Sequence, residues 1–394
     1  VSRVKLPEFI HEVIDDPRQR GILIAGCLAL FTVGLVPRAL SPGLPTAQEA
    51  LRTQPEIQNL FLLLAFASTA TIIVGGLVSD IFRHRALLVG GLAVIAIGSL
   101  ISVFFDDGGP YYVANFVAVA AAGVVLAYGV GSVAIAYEGI PRATALGFVY
   151  GAFGAGAAAS PAVLTLFPEL HPSSDPGTPS TFSFDTTLAY ALTAIAAGAA
   201  LWAAYRWVPK IPGTIPASRT LIVAVAVWAI SVLAIVSGVL GLGGEAGIAF
   251  PIVLIVGGAI GLSTVTLRFG RTNQEMAELK LDRRGIGAAL AVGVAIGFAQ
   301  AVPLMLMPVV FEYPLGYGTL FAIFAIAPFA LALFLAGPIS GVLIRKYGPR
   351  GIMTIGTLSV GIANLLLALA LVAITGFARE FYRNNPREAE LVLD

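Results

Sequence analysis

The segment GGLVSDIFRHR places Asp80 shortly before Arg83 and Arg85. A carboxylate among guanidiniums makes charge-assisted hydrogen bonds, which can hold helix ends together and release them. Gly76, one turn earlier, lets two helices approach closely. Glu138 and Arg142 flank a second turn, YEGIPRATALG, and add another acid–base pair. Gly76, Asp80, Arg83, Arg85, Glu138 and Arg142 therefore make a candidate inner gate, although each exposed pair alone contributes little. The alternative is that a short inner loop simply gathers Arg while Asp80 caps a helix.

Few ionisable groups lie within the apolar stretches. Arg38, in VGLVPRALSPGLP, is the exception, and a charge at such depth is costly and normally faces a cavity or a partner. Pro37 and Pro42 are expected to break the helix around it, so that Arg38 meets an anionic or polar substrate or a carboxylate across the protein. In the competing reading the helix ends earlier and Arg38 reaches the outer headgroups. Asn115, Gln300 and Asn364 sit mid-span, with Tyr128 and Tyr137. These side chains either hydrogen-bond a substrate or tie helices together. Cys27 is the only cysteine, and His11, His84 and His171 are scattered. A disulfide framework, a metal site, a cofactor and enzymatic catalysis are accordingly not expected.

The elements that must position these residues are apolar and long. Hydrophobic residues make up 58% of the 394 and charged ones 11%, with a mean hydropathy of +0.91. About 20 consecutive apolar residues cross a bilayer as a helix, and helix satisfies its own backbone polar groups in lipid. The pattern predicts an all-α, polytopic membrane helical bundle of about 11 spans. They fall at 21–46, 57–79, 86–105, 111–136, 142–167, 186–208, 219–241, 246–267, 286–311, 318–344 and 350–376. Along the chain this gives a cytoplasmic N-terminal segment (1–20), a six-helix bundle (21–208), two further helices with a cytoplasmic linker (209–285), a C-terminal group of three spans (286–376) and a polar tail (377–394). The loop PELHPSSDPGTPSTFSFD reads as irregular, and RFGRTNQEMAELKLDRRG as a short surface helix. Residues 1–20 are polar, so no cleavable leader is expected and the first span remains in place.

Charge orients the bundle. With the N-terminus inside, the inner side collects every Lys and Arg except Arg38, Arg52, Arg379, Arg383 and Arg387. That is the positive-inside pattern, and it places the N-terminus in the cytoplasm of a multi-pass plasma-membrane protein. The tail FAREFYRNNPREAELVLD dissents, because an eleven-span count puts its three Arg outside. A net charge of +1 gives no argument for nucleic acid.

The 75–85 loop resembles the signature between helices 2 and 3 of the major facilitator superfamily. Gly76, Asp80, Arg83 and Arg85 match it, whereas the family's second Gly falls on Arg83 and its first basic residue on Ile81. A second copy lies in GPISGVLIRKYGPR, through Gly341, Lys346, Gly348 and Arg350, with Arg345 where the Asp belongs. Two copies imply an internal repeat and two pseudo-symmetric bundles. Their separation resembles the fourteen-helix drug/proton antiporter branch, with 219–241 and 246–267 as its inserted pair. On that reading the chain ends at the third helix of the second half. In the fifth span Gly147, Gly156, Ser160 and Pro161 resemble the antiporter signature, with Ser160 in place of a Gly. Gly147, Gly151, Gly154 and Gly156 strip one helix of side chains for close contact, and Pro161 is expected to bend it.

Two family features are absent. The helix-1 Asp of the fourteen-helix branch is missing, and Val119 stands where the helix-4 Arg linked to proton coupling belongs, before Gly123. The resemblance implies a secondary transporter working by alternating access, monomeric, in contact with a small-molecule substrate and the lipid bilayer. Export or exchange is the leading expectation; a solute uptake carrier, or a non-transporting sensor or scaffold derived from a transporter, is the alternative.

Overall fold

The computed structural model describes residues 15–40, 71, 84–104, 108–166, 184–210, scattered positions between 223 and 238, 249–272 and 319–384. Seven helical elements follow in order: α1 (Pro17–Leu40), α2 (His84–Phe104), α3 (Gly108–Ala136), α4 (Gly139–Leu166), α5 (Phe184–Trp207), α6 (Ala249–Thr272) and α7 (Thr319–Asn384). Apart from residue 71, the expected spans 57–79 and 286–311 lie outside the described residues, and the only regular secondary structure among those described is helix. Five of the described helices contain a stretch long and apolar enough to cross a membrane: Pro17–Val36, His84–Phe104, Val113–Ala136, Leu188–Trp207 and Arg350–Ala370.

Helix starts and breaks follow from local chemistry. Asp16 accepts a hydrogen bond at 2.8 Å from the backbone N–H of Arg18, and Pro17 begins α1 where its missing N–H costs nothing. The helix therefore opens a few residues before the position that hydropathy marks. It also runs through Pro37 and Arg38 to Leu40, so Pro37 does not break it, contrary to expectation. One absent donor is tolerable in a packed membrane helix. At the other end of the chain α7 is interrupted at Gly348, whose φ of 74° and ψ of 162° are non-helical. This is the boundary expected between spans 318–344 and 350–376.

The chain divides into two compact units, Val1–Glu278 with Phe329–Val342, and Leu279–Pro328 with Leu343–Asp394. In the first unit α1 packs against α3, α4 and α5, and α2 packs against α3 and α5. The faces are built for close approach. Ala25, Ala29 and Val33 of α1 and Ala197, Ala200 and Ala204 of α5 are buried at helical spacing, with Leu88, Leu92 and Ile95 of α2 and Val125 of α3. A Cβ on Gly156 would lie 2.9 Å from the Phe31 carbonyl carbon, and one on Gly34 2.8 Å from the Ala157 nitrogen, so the α1–α4 crossing requires both glycines. The outward faces carry Ile97, Ile195 and Trp202, at 60%, 68% and 60% exposure, as lipid contact demands. Two threonine hydroxyls within spans are satisfied locally: Thr32 donates to Leu28 O at 2.8 Å and Thr193 to Ala189 O at 2.8 Å.

Candidate functional site

The first turns of α1, α2 and α4 and the last turns of α3 and α5 lie at one end of the first unit, and the candidate residues Arg85, Glu138 and Arg142 are there. Gly76, Asp80 and Arg83 lie outside the described residues. Arg85, in the first turn of α2, places its guanidinium 4.3 Å from the ring centroid of Tyr205 on α5. Its described partner is thus an aromatic face, a cation–π contact that acidic-residue spacing does not reveal. Beside it His84 is buried and meets Tyr128 edge to face, with ring centroids 5.3 Å apart. The Oγ of Ser132, one helical turn beyond Tyr128, is buried without a hydrogen bond.

Glu138 and Arg142 are both exposed at the α3–α4 turn. Gly139 makes that turn with a φ of 60°, a conformation that disfavours any Cβ. The same end is tied to α1, because Gln19 Nε2 donates to Ala136 O at 3.0 Å. Tyr137, just past the end of α3, is nearly fully buried. Burial first, then the negative charge of Asp16 and last Cys27, pushes its phenol from 10.0 up to about 12.

The glycines of α4 meet two different neighbours. Gly156 faces α1, as described above. Gly147 and Gly151 face the Phe329–Val342 stretch of α7, within the same unit. Gly147 lies against the Gly337 carbonyl. A Cβ on Gly151 would fall 2.9 Å from Phe334 O and 3.0 Å from Pro338 Cδ. A Cβ on Gly341 would fall 2.8 Å from Thr144 Cα and 3.0 Å from Ala143 O. Two Gly-x-x-x-Gly pairs, 147/151 and 337/341, therefore face each other backbone to backbone. Gly341, expected as part of an inner loop motif, is a helix-contact residue. Gly337 was not singled out in the sequence, although its four-residue spacing from Gly341 is the signal for it.

The rest of the second motif copy lies further along α7. Lys346 places Nζ 5.3 Å from the Tyr347 ring centroid, Gly348 breaks the helix, and Arg350 is exposed. Helix α4 continues through Ser160 and Pro161 to Leu166, so Pro161 leaves the helical backbone uninterrupted.

Of the candidate substrate-facing residues, Asn115 is buried and engaged by its neighbours. Its Nδ2 donates to Ser102 Oγ at 3.2 Å, its Oδ1 accepts from Tyr190 OH at 2.9 Å, and Ser102 in turn donates to Gly98 O at 3.0 Å. This chain of bonds ties α2, α3 and α5 together. Tyr190 is the partner that the sequence reading missed. Asn364 Nδ2 donates to Val360 O within its own helix at 2.9 Å. Arg38 has a helical backbone, and Gln300 lies outside the described residues. Val119 is buried. Among the described residues no three His, Cys, Asp or Glu gather to hold a metal ion.

Comparison with known proteins places this arrangement. No curated protein matches the chain. Similar solved structures include a bacterial homologue of the human drug peptide transporters, at 14% identity over 91% of this chain and 99% of that one, with a TM-score of 0.43. The human organic anion transporter TETRAN is similar at 14% identity over 89% and 100%, TM-score 0.38. The proton:xylose symporter XylE is similar at 19% identity over 93% and 89%, TM-score 0.37. The sequence profile of the Major Facilitator Superfamily matches residues 22–379 and so spans the gate end, the α4 glycines and both signature copies. With that match extending across nearly the whole helical chain, the protein is a multi-pass membrane member of the major facilitator superfamily.

Proposed function

We propose that the protein is a secondary active transporter that exports or exchanges a small molecule across the plasma membrane by alternating access, with its N-terminus cytoplasmic. The observation that carries this reading is the contact of Gly147 and Gly151 with Gly337, continued by Gly341 against Ala143 and Thr144. In a superfamily member, a helix of the first half thereby meets a helix of the second along surfaces without side chains. Such surfaces slide or rock with little repacking, because no interlocked rotamers must be undone. The bundle 21–208 then acts as one rocking body and 286–376 as part of the other, with 209–285 between them. Asp80, Arg83, Arg85, Glu138 and Arg142 latch the inner end on this reading, with Lys346 and Arg350 as the weaker second latch.

Coupling to protons through the fourth span is not part of the proposal, since buried Val119 has nothing to titrate. Arg38 and Gln300 are the residues we assign to substrate contact. Asn115 is assigned to holding helices together, in keeping with its bonds to Ser102 and Tyr190. The test is efflux from cells loaded with a panel of labelled amphipathic drugs and metabolites. Faster loss of at least one compound, abolished by Asp80→Asn, is the expected result. Net accumulation instead makes the protein an uptake carrier. A compound that binds the purified protein but never crosses marks a sensor.

A further inference from the structure

The outward face of α5 combines three features at one end. Arg206 is exposed in its last turn, and Lys210 is exposed just past its end. Arg85 of α2 reaches over from the neighbouring helix and stacks on Tyr205, which is itself 63% exposed. One helical turn toward the membrane interior stands Trp202, 60% exposed and held edge to face against Trp207 at 5.3 Å. Trp207 is fixed in its turn, since its ring occupies the space where a Cβ on Gly21 would sit, 2.6 Å from its Cγ. Below Trp202 the face narrows to exposed Gly198 and Ala199 and then to Ile195, 68% exposed. A Cβ on Gly198 would meet nothing within 4 Å.

We propose that this end of α2 and α5 is a binding site for an anionic phospholipid, with Arg85, Arg206 and Lys210 holding the headgroup phosphate and Trp202, Gly198 and Ile195 receiving an acyl chain. Cations at the end of a membrane helix attract anionic headgroups. Exposed Trp and Tyr take the interfacial depth where the headgroup meets the chain. The Tyr205 ring holds the Arg85 guanidinium from one face, which lowers the entropy lost when a phosphate binds it. The C-terminal carbonyls of α5 favour cations at this position, so Arg206 is doubly suited to remain there. A soluble anion would need the three cations but not the apolar strip beneath them. The strip is why the ligand is a lipid.

The site goes beyond the transport reading and requires only the bilayer, not a direction of transport. Its test uses the protein's own tryptophans, three in all. In a Trp228→Phe background, Trp202 and Trp207 report on lipid in nanodiscs. Brominated phosphatidylglycerol at low mole fraction in phosphatidylcholine is expected to quench this fluorescence several-fold more than brominated phosphatidylcholine at the same fraction. Each of Arg206→Gln and Lys210→Gln lowers the preference about fivefold, as does raised salt. Arg85→Lys keeps the charge and most of the preference, which separates binding from a fault in folding. Equal quenching by the two lipids, or a preference indifferent to the substitutions and to salt, overturns the proposal. Counterflow measured on the same protein is independent of the quenching, so failure of transport leaves the lipid result standing.

Discussion

Gly147 of α4 lies directly against the carbonyl of Gly337 in α7, and neither residue has room for a methyl group. The obstructing atoms are backbone, which cannot rotate away as a side chain can. Helix propensity alone would favour Ala at both positions by about 1 kcal/mol. The contact decides against it, because overpacking typically costs about 1–3 kcal/mol.

Gly147→Ala and Gly337→Ala are therefore expected to lower the thermal unfolding midpoint of the purified protein. Gly90→Ala and Gly356→Ala, where a Cβ meets nothing within 4 Å, are expected to leave it unchanged or raise it. Thermal unfolding monitored by fluorescence reads all four. Equal effects at the two kinds of position would refute the account of the seam.

Gly348 separates geometry from space. A Cβ there has open surroundings, yet φ is 74°. Gly348→Ala is expected to cost about 1–3 kcal/mol through backbone strain alone. Gly348→Asn is expected to cost as much, since a φ of 74° with a ψ of 162° lies outside the left-handed helical region that Asn tolerates and is reached essentially by glycine alone. A Gly348→Ala protein as stable as wild type means that the helix simply runs on through this position.

The Asn115 cluster predicts a stability effect. Tyr190→Phe removes the donor at 2.9 Å from Asn115 Oδ1 and is expected to destabilise the first unit by about 0.6–2 kcal/mol. Asn115→Leu removes the bonds to both Ser102 and Tyr190 and is expected to cost more. Chemical denaturation in detergent checks the order. If Asn115→Leu instead leaves stability intact and impairs transport, the residue serves the substrate.

Tyr137 gives a pH prediction. Its folded pKa, about 12, lies above the usual 10.0. The stabilisation is thus fully present below pH 10 and is lost as pH rises through about 12. Alkaline difference absorbance of wild type against Tyr137→Phe is expected to show one tyrosine ionising late. Ionisation of that residue near pH 10 would contradict the burial described for it.

Much of the fold was legible because lipid leaves one solution. Apolar length located α2, α3, α4 and α5 to within a few residues, and the gap between spans 318–344 and 350–376 contains the break in α7 at Gly348. The start of α1 was misplaced because hydropathy is blind to an Asp16–Pro17 cap. Pro37 was read as a break because its lost hydrogen bond is visible in the sequence, whereas the packing that tolerates the loss is not. Pair contacts were the least legible. Arg85 beside Asp80 suggested an ion pair, but the stack on Tyr205 joins residues far apart in sequence, and nothing local announces it. Asn115 likewise showed that it needed partners, without showing that Ser102 and Tyr190 supply them.

The central claim, that the two halves carry a small molecule by moving at the Gly147–Gly337 seam, is tested most directly by counterflow. Proteoliposomes preloaded with each unlabelled candidate are given the same compound labelled outside. The account predicts a transient overshoot of label for at least one compound, reduced severalfold or more by Gly151→Leu in protein that still folds. A full overshoot in that folded variant, or no overshoot for any compound with active wild-type protein, would contradict it.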